Sequence, residues 1–197
     1  VMQRYGTDKP DLRISLELEE ITDIVKDSEF KIFREGIAKG AKVIGFKLPT
    51  KIEITRKKID NYTDKAKEFG SKGLIVLTNK DGNLTGGIAK FLTTAEKERI
   101  TQRFNLNRGE SLMLGVGKPE QVSRVMGRLR VYIGEEENLV SGRAFVPLWV
   151  TDYPLFELDE ENNITFPHHP FTSPVSEDIQ LLESEPLKVR SRSYDLV

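Results

Sequence analysis

The sequence predicts an α+β fold: a mixed sheet with helices packed on it, flanked on each side by segments of a different character. Three observations carry that prediction. Apolar runs of strand length, Lys42–Leu48, Gly73–Thr78 and Ser111–Val116, alternate with stretches of helical period in the middle of the chain. Helix start signals stand before those stretches, at Thr55, at Thr93 with Glu96, and at Pro119. After about residue 144 the pattern changes to proline-broken, β-prone sequence that holds the only tryptophan, Trp149.

Composition narrows the function classes. A chain of 197 residues suits one large domain or two small ones. Lys and Arg (30) nearly balance Asp and Glu (31), so a nucleic-acid partner would have to be held by a local patch and not by a global field. With no cysteine, disulfides, thiolate metal sites and cysteine nucleophiles are excluded. Two histidines, side by side, argue against a histidine-rich zinc site. No run approaches a membrane span, and Val1–Pro10 is too polar for a signal peptide, so a cytoplasmic protein without a membrane partner is expected.

Taken in order, Val1–Tyr5 reads as the last turn of a helix closed by Gly6. Thr7, Asp8, Lys9, Pro10 and Asp11 are turn chemistry. With Arg13 they form a charged cluster, which reads either as a solvated turn with weak ion pairs or as a loop bracing a site. Leu16 and Leu18 alternate as in a strand; Ile21, Ile24 and Val25 take helical spacing. Phe30 and Phe33 follow, and Gly36 and Gly40 mark a loop. The strand Lys42–Leu48 is closed by Pro49. Thr55 caps a helix with Ile59, Tyr62, Ala66 and Phe69 on one face, stopped by Gly70. Gly73–Thr78 suits a buried strand, Asp81–Gly82 a turn, and Gly86–Gly87 a second break. The Thr93–Glu96 capping box opens a helix carrying Ile100 and Phe104. After the strand Ser111–Val116, Pro119 and Glu120 begin a helix with the buried stripe Val122, Val125, Met126 and Leu129.

Gly115-Val116-Gly117-Lys118 before that helix invites a phosphate-loop reading, but the Gly-Lys-Ser/Thr group at the required spacing is missing. Ordinary strand-to-helix glycines are the better account. Arg124, Arg128 and Arg130 sit toward the expected end of the helix, as a solvated face or a small nucleic-acid contact. Glu135–Glu137 and Gly142 read as a polar linker, with a boundary between about Gly134 and Ala144.

The remaining segment leads to the candidate site. Phe145–Glu157 is β-prone, with Pro147 and Pro154 confining it to an edge or a bend. Asp159–Asn163 is a hairpin turn, and Ile164–Phe166 lead back into His168-His169-Pro170-Phe171-Thr172-Ser173-Pro174. A proline holds its preceding residue extended, so His169 is extended and the two imidazoles point different ways. One can face a cleft while the other packs behind it, or both can be half-buried in a rigid loop. Ser176 is expected to cap a short helix with Ile179, Leu181 and Leu182. Ser193–Val197 looks like the opening of a strand, as if the chain were cut from something longer.

Four stretches, R-Y-G-T-D-K-P-D-L-R (Arg4–Arg13), P-L-W-V-T-D-Y-P-L-F-E (Pro147–Glu157), H-H-P-F-T-S-P (His168–Pro174) and R-S-R-S-Y-D-L-V (Arg190–Val197), resemble in this order segments of bacterial-type aspartyl-tRNA synthetase, a class II enzyme. From about Phe30 to Tyr132 the chain resembles the GAD insertion domain of these synthetases, with I-A-K-F-L (Ile88–Leu92) at a similar phrase. The resemblance implies a GAD insertion over residues 30–140. It would be flanked by partial antiparallel segments of the class II core at 1–29 and 141–197. It implies a parent ligase that activates L-aspartate with ATP and Mg²⁺ and transfers it to tRNA(Asp), as a homodimer. Carried over by motif, it implies that His168 contacts the aspartate substrate and His169 supports it. The Thr7–Pro10 turn and Asp152 also resemble family positions, with bracing roles. No catalytic group and no metal ligand is carried over. The class II arginines that hold ATP are not in this sequence, so the chain alone is expected to be inactive, with no ATP or Mg²⁺ bound. The alternative is a non-catalytic GAD-type module that binds tRNA or a protein.

Overall fold

A computed structural model describes residues 1–140, 142, 145–159 and 161–197. The chain forms two compact units, Val1–Val146 and Pro147–Val197.

The first unit follows the predicted alternation. Its elements are α1 (Met2–Tyr5), β1 (Glu19–Glu20), α2 (Thr22–Val25), α3 (Lys31–Ala38), β2 (Lys42–Leu48), α4 (Arg56–Glu68), β3 (Ile75–Lys80), β4 (Asn83–Thr85), a 3-10 turn at Ala89–Phe91, α5 (Thr94–Arg103), β5 (Ser111–Gly117) and α6 (Pro119–Glu136). The five strands lie in the order β1-β2-β5-β3-β4. Every pairing among them is antiparallel, which corrects the expected mixed sheet. β2 and β3 run the same way and are joined through α4, but β5 inserts between them antiparallel to both, so the parallel pair never touches.

Strand alternation divides the core in two. Val43, Leu77, Leu112 and Leu114 turn to the face covered by residues of α2, α3 and α5. Ile44, Phe46, Leu48 and Met113 turn to the other, under α4 and α6. The caps form as the sequence predicts. Thr55 Oγ1 accepts the Lys58 N–H at 3.3 Å. Thr93 and Glu96 close a reciprocal box, with Thr93 N donating to Glu96 Oε2 at 2.7 Å and Glu96 N to Thr93 Oγ1 at 3.2 Å. Gly6 ends α1 in the left-handed region, at φ 70°. A Cβ there would overlap the Ser123 carbonyl, so α1 and α6 meet where no side chain fits.

Three further expectations for this unit need correction. Gly36 lies inside α3, not in a loop, and a Cβ there would sit 3.4 Å from Val116 Cγ1, so the helix lies close against the sheet. Glu135 and Glu136 continue α6, and Glu137 caps it instead of entering a linker. The Glu137 carboxylate takes the Lys58 ammonium and the Tyr62 hydroxyl. Burial, and then that carboxylate, push the Tyr62 phenol well above its ordinary value. Val140 bridges to Ile14, so packing continues into the expected linker. Ser141, Arg143 and Ala144, within or beside the expected boundary, lie outside the described residues.

The third correction is Arg130. It belongs to no solvated face: it is 0% exposed. Its Nε donates to the Leu16 carbonyl at 2.6 Å, and one terminal nitrogen donates to Ile14 (2.6 Å) and Asp11 (3.0 Å). The guanidinium lies 5.0 Å from the centre of the Tyr5 ring. Residues 1–29 thus pack with residues 30–140 in one unit. Arg124 and Arg128 are exposed on the same helix, with Arg128 stacked 4.1 Å over Phe69.

The second unit is a set of short ladders. β6 (Trp149–Val150) pairs with β9 (Asp195–Leu196), and β7 (Glu157–Leu158) with β8 (Ile164–Thr165). The β7–β8 turn is held by the Asp159 carboxylate, which accepts the backbone N–H of Glu161 (2.9 Å) and Asn163 (2.8 Å). Glu160, within this expected turn, lies outside the described residues. The expected helix at Ser176 is a 3-10 helix, Ser176–Leu181, followed by another at Pro186–Lys188. Val175, not Ser176, stands at its N-cap, without a side-chain cap bond. Among the described residues no helix is long and apolar enough to cross a membrane.

Candidate functional site

Residues 189–197 form the spine that positions the histidine loop. On one side Leu155 N donates to Val189 O (2.8 Å), Ser191 N to Tyr153 O (2.6 Å), and Leu148 and Val197 exchange bonds of 2.9 Å. On the other side Val175 N donates to Arg190 O and Arg192 N to Ser173 O, both at 2.9 Å. Each is a backbone bond, so any side chains of extended habit would suit; Pro154 and Pro174 sit at isolated bridges, where a missing N–H costs least. The loop 166–172 is therefore anchored at both ends, by β8 upstream and by Ser173–Val175 downstream.

The two sequence-selected histidines have different partners. The His168 ring stands edge-on to Tyr153, with centroids 5.0 Å apart and planes at 87°. Tyr153 is 9% exposed, and its hydroxyl donates to Asp195 Oδ2 at 3.1 Å. His169 instead lies 4.9 Å from the Phe171 ring, and its Nδ1 accepts the Phe171 N–H at 3.3 Å. Its carbonyl accepts the Thr172 N–H at 2.9 Å, closing a turn with Pro170 at the second position. Both imidazoles are exposed, so the structure does not bring them into one enclosed pocket. Thr172 and Ser173 hold the loop through their backbones.

Beside the loop lies a charged network that sequence reasoning missed. Arg190 grips Asp178 through Nε (2.8 Å) and a terminal nitrogen (3.0 Å), and its backbone N–H adds a third bond at 2.9 Å. These bonds hold the Asp178 carboxyl at about 2. The same pair raises the Arg190 guanidinium further above its ordinary value. A second carboxylate, Asp152, approaches the other terminal nitrogen at 3.4 Å from a residue at φ 58°. Asp178 and Arg190 are twelve positions apart with no shared periodicity, so nothing local marks them as partners. Tyr153 had one signal: an aromatic between Asp152 and Pro154 in a polar stretch.

The arrangement presents an imidazole, braced by an aromatic ring, to solvent. Its N–H can donate to a carboxylate, and its free nitrogen can accept. Among the described residues no group of three or more His, Asp or Glu side chains is placed to hold a metal ion. Arg190 is already committed to carboxylates, and so is not a free phosphate ligand.

The chain resembles known proteins along its whole length. Residues 33–126 match the family model of the GAD domain. The whole chain is 41% identical to the aspartate–tRNA(Asp/Asn) ligase of Caldanaerobacter subterraneus subsp. tengcongensis, covering 33% of that protein. It is 43% identical to the corresponding ligase of Halothermothrix orenii, again over all of this chain and 33% of the relative. With the aspartate–tRNA ligase of Shouchella clausii it shares 40% over 100% of this chain and 34% of the relative. The chain is therefore homologous, end to end, to a segment of aspartate–tRNA ligases, and spans about a third of their length.

Proposed function

We propose that this chain forms one wall of the amino-acid pocket of an aspartate–tRNA ligase, with residues 30–140 as an insertion and residues 1–29 and 141–197 as core segments. The parent activates L-aspartate with ATP and Mg²⁺, charges tRNA(Asp), and works as a cytoplasmic homodimer. In this reading His168 meets the aspartate substrate, and His169 shapes the loop behind it. The observation that carries the assignment is the contrast between the two rings: His168 is braced by buried Tyr153 and, among the described residues, has no hydrogen bond on its nitrogens, whereas His169 spends Nδ1 on its own turn. An imidazole donor suits a dicarboxylic amino acid, because a charge-assisted hydrogen bond to carboxylate is stronger than a neutral one.

The test is steady-state kinetics on the full-length ligase carrying this segment. His168→Ala should raise KM for aspartate by about tenfold, the value of one such bond, and leave KM for ATP nearly unchanged. His169→Ala should have a smaller effect on the same constant. Equal increases for aspartate and ATP would remove His168 from the amino-acid pocket.

A further inference from the structure

We propose that the first unit carries a docking groove for an extended acidic peptide, which adds as a strand beside the C-terminal end of β5. The groove starts from a mismatch in strand length. β5 pairs with β2 along its whole length, to Gly117 opposite Lys42, but β3 pairs with β5 only from Ile75 opposite Leu114. Continued in register, β3 would place Leu74 against Gly115 and Gly73 against Val116. It does not, because the preceding loop is tied back to α4 and α6. Ser71 N donates to Ala66 O at 2.8 Å, and Gln121 Nε2 to Gly70 O at 3.0 Å. Ser71 Oγ also donates to Gly73 O at 2.7 Å and accepts the Gly73 N–H at 3.3 Å, so both main-chain groups of Gly73 are occupied locally. Among the described residues, the end of β5 from Gly115 has no strand partner on its β3 side, and there Val116 points its N–H and C=O that way while Gly115 and Gly117 face β2.

What opens there is a groove of about 1010 Å³. Its walls are apolar, from Phe30 and Ile32 beside α3 to Leu74 and Val116 at the sheet. Ile32 is 56% exposed, a large aliphatic side chain on a wall with nothing covering it. The charged residues lining it are Lys39, Lys72, Lys118, and no acidic side chain lines it among the described residues. All three lysines are exposed. The Val116 N–H and C=O supply a main-chain bond pair to an extended peptide, apolar walls take alternate side chains, and three lysines select carboxylates for the rest. Three cations make a small phosphate footprint, and the walls offer one half-buried aromatic, Phe30, as a stacking surface, so a peptide fits better than a nucleic acid. This inference does not depend on the histidine loop.

The experiment is fluorescence anisotropy on the 197-residue chain, with a labelled ten-residue peptide of alternating Glu and Val. Saturable binding is expected, together with an NMR shift at the Val116 amide. The triple variant Lys39→Glu, Lys72→Glu, Lys118→Glu should weaken binding at least tenfold, on the scale of about 1.4 kcal/mol for a tenfold change. The same peptide with alternate amides N-methylated, which cannot complete a ladder, should also lose at least about tenfold. That second arm needs no change in the protein and so is independent of any folding defect. Absence of binding, equal binding of the methylated peptide, indifference to the lysine reversals, or binding of a single-stranded oligonucleotide in place of the peptide would each overturn the proposal.

Discussion

Two arginines show how differently the two units are held. Arg130, in the first unit, is wholly buried and bonded to three neutral carbonyls of the 11–16 segment. Burial pulls its pKa below the ordinary arginine value. Arg190, in the second, is half-exposed and gripped by the carboxylates of Asp178 and Asp152. The surroundings differ in the same sense. Arg130 sits beside a core that includes Phe46, Leu48, Met126 and Ile133, whereas the buried apolar residues of the second unit are Val150, Tyr153, Leu155 and Val189 among those described. The first unit is an apolar core with one cation sewn into its edge. The second is a set of backbone ladders with a part-exposed ion-pair network beside them. Its loop can then be placed accurately with little core, since backbone ladders and charge pairs fix position even where buried area is small.

The sharpest way to break that contrast is to remove Arg130. Arg130→Met keeps an aliphatic stem of similar reach but leaves the Leu16, Ile14 and Asp11 carbonyls without their donor. At about 1 kcal/mol or more for each unsatisfied buried group, the loss should be about 3 kcal/mol, read as a drop in the urea midpoint of this chain. A loss below about 1 kcal/mol would mean that water replaces the guanidinium, and that the 11–16 segment is held by Ile14 packing instead. Arg130 Nη1 is the one buried side-chain nitrogen or oxygen without a partner among the described residues, which makes such a water the natural competitor.

This residue also marks the limit of reading the sequence. The strands β2, β3 and β5 were legible because buried strands leave apolar runs, and the caps at Thr55 and Thr93 because they are local chemistry. Arg130 follows Met126 by four positions and so shares the buried stripe of α6, but its charge masks that phase in the sequence. The extension of α6 through Glu136 was hidden for a related reason. A run of glutamates reads as solvent, and only the fold brings Lys58 and Tyr62 to Glu137. In the second unit the loop and its prolines were legible. The pairings His168 with Tyr153 and Asp178 with Arg190 join residues twelve to fifteen positions apart through irregular backbone, where no periodicity connects them.

A smaller effect tests the same contrast within the first unit. Thr93→Ala removes the hydroxyl that accepts the Glu96 N–H, and should cost about 1 kcal/mol, the usual value of an N-cap. Because α5 covers the core through Ile100 and Phe104, the loss should be felt by the whole unit and shift its single unfolding transition. A variant that frays α5 in hydrogen exchange without moving that transition would show the cap to be local.

The smallest effect at neutral pH, and the most specific to the second unit, belongs to Asp178. Arg190 faces solvent, which screens the pair and limits what it contributes. Its signature lies in pH dependence. The Asp178 carboxyl falls from an ordinary 3.8 to about 2 through its bonds to Arg190. A depressed carboxyl pKa contributes stability that is present above the unfolded value and is lost as pH falls through the folded one. The second unit should therefore lose stability between about pH 4 and pH 2, with the first unit's Arg130 contacts unaffected, because carbonyls do not titrate there. Amide exchange at Ser191 and Arg192, which lie in the spine next to the pair, reads that loss directly. Asp178→Asn should flatten the acid limb at those amides while leaving amides of β2 and β5 unchanged. An unchanged limb in the variant would assign the acid sensitivity to other carboxylates and dissolve the contrast between the two arginines.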